Sequence, residues 1–177
     1  AGLKYRGFLT FNKIDNSDWT VTGTGNQAWT IQGGKLLVDG TINGAVDVQA
    51  GFLSGTGAVG GTTIGAAGTL SPGHNGFGTL TVNGSLAFAT GATYLFGVNS
   101  VSSGFTHVTG TATLTGAIAS AQFQGTTFAN KYTILSAAGG LGGTEFSPNF
   151  QTNSTAITAK LSYTSTDVIL NLISGFT

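Results

Sequence analysis

Between Gly34 and Ser85, apolar and polar positions recur at a step of 17 residues. Trp19, Leu36, Leu53 and Leu70 form one apolar series. Trp29, Val46 and Leu80 form a second, with Thr63 in the missing place. Ile31, Val48 and Val82 form a third, broken by Gly65. Glycines keep the same step in three series: Gly34, Gly51, Gly68; Gly23, Gly40, Gly57; and Gly44, Gly61, Gly78. Turn residues and core residues in separate registers at one fixed period predict a β-solenoid, with each residue stacked on its equivalent in the next coil. Units such as WTVTG, WTIQGG and KLLVDG are short apolar runs closed by glycine, and no window carries the i, i+3, i+4 spacing of an amphipathic helix. Three such strands fit one coil, and successive coils pair in parallel about 4.8 Å apart. The glycines are expected to supply the positive φ of sharp corners. One coil cannot bury its own apolar face, so neighbours must stack.

The rest of the chain keeps the chemistry and changes the rhythm. Residues 1–16 alternate imperfectly and predict a strand, then a turn at Asn16-Ser17-Asp18. Residues 17–85 hold the 17-residue coils. The segment SPGHNGFG, Ser71 to Gly78, predicts a longer loop turning at Pro72-Gly73. Beyond it the step is lost. In residues 86–177 we expect strands at His107–Thr109, Thr111–Leu114, Ala117–Phe123 and Tyr132–Leu135. Ala156–Tyr163 and Val168–Ile173 flank Ser165-Thr166-Asp167 and predict an antiparallel hairpin that caps the last open coil. The predicted fold is all-β, one continuous structural domain: a parallel β-helix with a C-terminal β-hairpin cap.

Composition narrows the function. The chain has 177 residues, of which 40% are hydrophobic and 7% charged, far below the roughly 25% charged of an ordinary soluble domain. Six basic and six acidic side chains cancel. No basic face gathers phosphates, which argues against a nucleic-acid partner. Twelve phenylalanines, four tyrosines and two tryptophans in ordered spacings argue against a flexible low-complexity segment. Without cysteine there is no disulfide framework, thiol nucleophile or thiolate metal site. No apolar run approaches the ~18 residues of a membrane span.

Candidate chemistry is sparse. Gly55, Gly57 and Gly60 spell GxGxxG, but a strand-like Thr62-Thr63-Ile64 follows where a phosphate-binding helix should begin. His74 lies in a loop with no carboxylate near it in sequence, and His107 opens a strand, so both read as lone histidines. The 17-residue step sets Asp39 beside Thr56, Asp47 beside Ile64 and Lys35 beside Phe52, so no acid stacks on an acid and no carboxylate pair of the glycosidase kind forms. No GxSxG elbow occurs. Asn26 and Asn43 sit one step apart at corners, either as stacked amides sharing hydrogen bonds or as two turn residues. We assign no catalytic, cofactor-binding or metal-binding residue.

The segment WTIQGGKLLVDGTINGAVDVQAGFLSGTGAVGGTTIGAAGTLSPG resembles the autotransporter-associated β-strand repeat. GTLTVNGSLAF, HVTGTATLTGA, KYTILSAAGGLGGTEF and AKLSYTSTDVILNL resemble the segments that follow it in passenger domains of bacterial type V secretion. The likeness spans residues 17–173. His74 departs from it, since the family more often has Asn after Ser-Pro-Gly. The resemblance implies a right-handed parallel β-helix ending in an autochaperone-like junction, displayed on or shed from the Gram-negative cell surface. It implies a parent protein with an outer-membrane β-barrel, of which this chain is expected to be an excised, non-enzymatic fragment that does not itself insert into the membrane. In a bacterial protein the sequons Asn83-Gly84-Ser85 and Asn153-Ser154-Thr155 are accidental. The expected role is adhesion or cell–cell aggregation, through self-association or a host-surface ligand, with residues 86–177 nucleating passenger folding. The alternatives are a polysaccharide-binding or polysaccharide-cleaving β-helix and an inert spacer stalk.

Overall fold

A computed structural model describes residues 9–173. Among them the chain forms nineteen strands and no helix. In order these are β1 (Thr10–Lys13), β2 (Asp18–Val21), β3 (Thr24–Gly25), β4 (Ala28–Ile31), β5 (Lys35–Val38), β6 (Thr41–Ile42), β7 (Val46–Gly55), β8 (Ala58–Val59) and β9 (Thr62–Pro72). There follow β10 (Thr79–Val82), β11 (Leu86–Phe88), β12 (Thr93–Val98), β13 (Phe105–Val108), β14 (Ala112–Thr113), β15 (Ile118–Phe123), β16 (Lys131–Ala137), β17 (Gln151–Thr152), β18 (Ala159–Tyr163) and β19 (Asp167–Leu172). One sheet holds eleven strands and the other eight. Among the described residues, named strands pair in parallel except where β19 meets β16 and β18.

The 17-residue step is real in the first half. Asp18, Lys35, Phe52 and Thr69 pair in succession, and beside them Trp19, Leu36, Leu53 and Leu70. Thr24, Thr41 and Ala58 do the same in the smaller sheet. The long strands β7 and β9 each join the end of one repeat to the start of the next: Val46–Val48 pairs with β4, whereas Phe52–Ser54 pairs with β5.

The register then departs from strict periodicity. Before an irregularity between Val48 and Ala50 the step is one residue short, and beyond it the step of 17 returns, so Trp29 and Val46 lead to Thr62, and Ile31 and Val48 lead to Ile64. Ile64, not Gly65, completes that buried column, and Phe88 extends it. Asp47 therefore pairs with Thr63 rather than Ile64. Leu80 and Val82 leave the expected columns altogether. They lie in the smaller sheet, where Val82 pairs with Val59 and Val108. Gly60 takes the place over Gly44 expected of Gly61, and Gly78 lies against Thr56 and Gly73.

The corner glycines serve mainly by having no side chain. A methyl group on Gly57 would lie 2.0 Å from the Gly40 carbonyl oxygen, and one on Gly40 would lie 2.1 Å from that of Gly23. None of these three has a left-handed φ. The expectation of positive φ holds in a neighbouring series, at Gly34 (61°) and Gly51 (83°).

The core is one continuous cluster from Ile31 to Leu172. It is aliphatic in the 17-residue repeats and gains aromatic side chains beyond them. There Tyr94 stacks on Phe146 with centroids 5.7 Å apart and touches Phe88 and Phe96. The Tyr94 hydroxyl meets the Thr106 hydroxyl at 3.0 Å and donates to the Ile134 carbonyl. Burial pushes its pKa well above the phenolic range, so it remains a neutral donor.

Strand β1 replaces part of the expected N-terminal region, whose residues 1–8 lie outside the described residues. It pairs in parallel with β4 and buries Lys13 completely. The Lys13 ammonium donates to the carbonyls of Asp15 (3.0 Å) and Gly33 (3.1 Å) and to the Asp15 carboxylate (2.8 Å), under the Trp19 ring. Three donors thus meet three acceptors, which makes burial of the charge tolerable. The hydrogen bonds from Lys13 and Ser17 hold the Asp15 carboxyl below its usual range. Asp18, expected in the turn, opens β2 instead.

Replacing Gly57 with alanine is expected to lower stability by about 3 kcal/mol, because backbone must move to admit the methyl group. Gly23→Ala, where nothing lies within 4 Å of the added atom, should cost under about 0.5 kcal/mol. Urea titrations of the two variants check the contrast.

Candidate functional site

Strand alternation decides which side chains reach the outer face of the larger sheet. In β5, Leu36 and Val38 point into the core, so Lys35 and Leu37 point out. In β7 the same register turns Leu53 inward and Phe52 and Ser54 outward. Parallel pairing then lays Asp18, Lys35 and Phe52 in one outward row and Thr20, Leu37, Ser54 and Ser71 in the next.

A hairpin overhangs these rows. Backbone hydrogen bonds join His74 and Phe77 in both directions, at 2.9 and 3.0 Å. The two residues between them, Asn75 (φ 54°) and Gly76 (φ 85°), both have left-handed backbone, as a tight two-residue Asn-Gly turn requires. The turn is thus at Asn75-Gly76, not at the expected Pro72-Gly73, which lie in and just after β9. Gly76 is tied to β12 through Gly97 N–H, and the Phe77 ring lies over Gly97, where a Cβ would strike it at 2.5 Å.

His74 is not a lone histidine. Its Nε2 lies 2.8 Å from Oδ1 of Asp39, 35 residues earlier. The same oxygen accepts from the Thr56 backbone N–H (3.1 Å) and hydroxyl (3.2 Å). Partial burial pushes the Asp39 pKa up, but the Thr56 N–H and His74 together more than offset it, and the carboxyl titrates below its usual range. The expected neighbourhood of Asp39 and Thr56 is therefore present, with a third member that sequence spacing could not reveal.

Between the sheet face and the hairpin runs a groove of about 500 Å³. Leu37, Phe52, Ser54, Ser71 and Leu95 contribute to it, with Asp18, Lys35, His74 and Asn75. Asp18 and Lys35 approach to 3.9 Å across solvent, a weak pair that still cancels charge locally. A second groove of about 460 Å³ lies between Glu145–Phe150 and β18.

His107, the other histidine, projects outward from β13 and comes within 6.5 Å, ring to ring, of Phe105. Asn26 and Asn43 do form stacked amides, joined at 2.7 Å. A similar contact at 3.0 Å, Gln32 to Gln49, was missed although the step of 17 separates those residues too. Gly55, Gly57 and Gly60 of the GxGxxG sequence surround β8 and precede no helix. Among the described residues, no three His, Asp or Glu side chains converge as metal ligands do. Comparison with protein-family models and with curated proteins found no match to either.

The Asp39 tie predicts a pH dependence. A carboxyl whose folded pKa is depressed stabilises the fold above its ordinary pKa and loses that contribution as pH falls through the folded value. Between about pH 5 and about pH 3 the urea midpoint should drop. In Asp39→Asn the drop should be shallower but not abolished, because Asp15 titrates in the same sense. An unchanged slope would show that the tie contributes nothing.

Proposed function

We propose that this chain is a right-handed parallel β-helix with a C-terminal hairpin cap, forming part of a surface-displayed autotransporter passenger. In this reading it is a non-enzymatic module on the bacterial surface that supports adhesion or cell–cell aggregation. The observation that carries the reading is the parallel pairing, at a step of 17, of three strand segments per repeat. A chain that stacks repeat on repeat can fold progressively as it emerges from a membrane, each repeat templating the next. Freedom from cysteine suits such export, since a crosslinked loop could jam a narrow pore.

The second half is proposed as the folding nucleus. It holds the aromatic cluster around Tyr94, and β19 turns back antiparallel along β16 to cover an edge that another strand could otherwise extend. Outward Thr, Ser, Asn and Gln give a neutral polar exterior able to meet another copy or a glycan. The spacer-stalk reading requires none of these surfaces to bind.

Two measurements test the proposal. In a urea titration, the fluorescence of Trp19 and Trp29 reports the first repeats, and amide exchange at Tyr94, Leu135 and Leu170 reports the second half. The second half should persist to higher urea, and survival of the first repeats beyond it would remove the nucleus. Cells displaying the parent protein should clump, and deletion of residues 17–173 should abolish clumping. Clumping that survives the deletion would favour the spacer, and turnover of a polysaccharide would favour an enzyme.

A further inference from the structure

We infer that the groove beneath the His74–Phe77 hairpin seats a stretch of neutral oligosaccharide. Its floor carries the first reason. Ser54 and Ser71 are register neighbours on β7 and β9, only 4% and 7% exposed, and both line the groove. Neither side chain makes a hydrogen bond to another described residue, and neither hydroxyl is shut off from solvent. Each is therefore left to water in the groove, and a ligand that brings its own hydroxyls can replace that water bond for bond.

The wall carries the second. Phe52 is 38% exposed and presents an apolar ring to the same groove, with Leu37 and Leu95 nearby. A sugar ring offers both surfaces this site asks for: C–H groups to lie on an aromatic face, whose π-cloud attracts them, and a rim of hydroxyls for the serines. Charge supplies the third reason. Asp18 and Lys35, the carboxylate and the ammonium that line the groove, face each other and offset, so the lining holds no cluster of one sign to draw in a strongly charged ligand. A peptide strand fits poorly. Residues 52–54 of β7 already pair with β5 on one side and β9 on the other, leaving no free backbone edge for strand addition there.

This site deepens the adhesive reading by naming a ligand class, and rests on that reading only for its biological setting. Binding by the purified chain tests the groove, whereas clumping tests display, so either can fail alone. Cellohexaose, maltohexaose, mannohexaose and chitohexaose, with hexagalacturonate as the anionic control, would be titrated into the full 177-residue chain and followed by amide chemical shifts. At least one neutral sugar should bind saturably, with shifts clustered at residues 52–54, 71 and 74–77. Phe52→Ala, and Ser54→Ala combined with Ser71→Ala, should each weaken it by about tenfold with the thermal melt unchanged. The inference is overturned by binding of none of the neutral sugars, by tighter binding of hexagalacturonate, or by affinity unchanged in both variants. Shifts at the same residues that follow protein concentration without sugar would assign the groove to a second copy instead.

Discussion

The tightest constraint on this molecule is the passage of backbone directly over backbone at its corners. Paired strands sit about 4.8 Å apart. That spacing leaves room for side chains that point inward or outward, but not for one that points along the stack. At Gly40 and Gly57 the Cβ would point into the carbonyl of the preceding repeat. Glycine there is a steric requirement rather than a conformational one, and it fixes where each repeat turns. Once the corners are fixed, so is the register of everything between them.

Register in turn dictates composition. A repeating sequence paired in parallel sets like beside like. Leucine on leucine gains dispersion and excludes water, and Asn43 on Asn26 or Gln32 on Gln49 pairs amide donor with amide acceptor. Carboxylate on carboxylate would repel, by up to about 4 kcal/mol at 4 Å near a protein surface. The chain avoids this. Asp18 stands beside Lys35, Asp39 is bonded by Thr56, and Asp47 lies between Thr30 and Thr63. The low charge content that separates this sequence from ordinary domains thus follows from its pairing geometry.

That geometry also explains what could be read in advance. The Trp19–Leu36–Leu53–Leu70 column and the Gly23–Gly40–Gly57 corners were legible because each is strictly periodic, and the terminal hairpin because two alternating strands flank a polar turn. The columns through Ile64 and Thr62 were not, since Val46–Val48 pair at a step of 16 and the step of 17 returns only past an irregularity near Gln49. Lys13 was invisible as a core residue because its burial depends on carbonyls that only the folded corner at Gly33 supplies. His74 reads as solitary in the sequence because Asp39 is 35 residues away, and no period connects them.

The groove arises where the repeat is interrupted. From Ser54 to Ala58 the chain needs four residues to pass from the larger sheet to the smaller. From Ser71 to Thr81, the paired equivalents, it uses ten. Six extra residues with no place in the ladder must leave the stack, and the Asn75-Gly76 turn folds them back over the outer face. Asp39 holds their near end through His74, and Gly97 holds Gly76. Regular repeats present flat faces with every backbone group used, so concavity has to come from an insertion of this kind. The departure from periodicity that defeats sequence reading is therefore the same feature that gives the surface a shape for a ligand to fit.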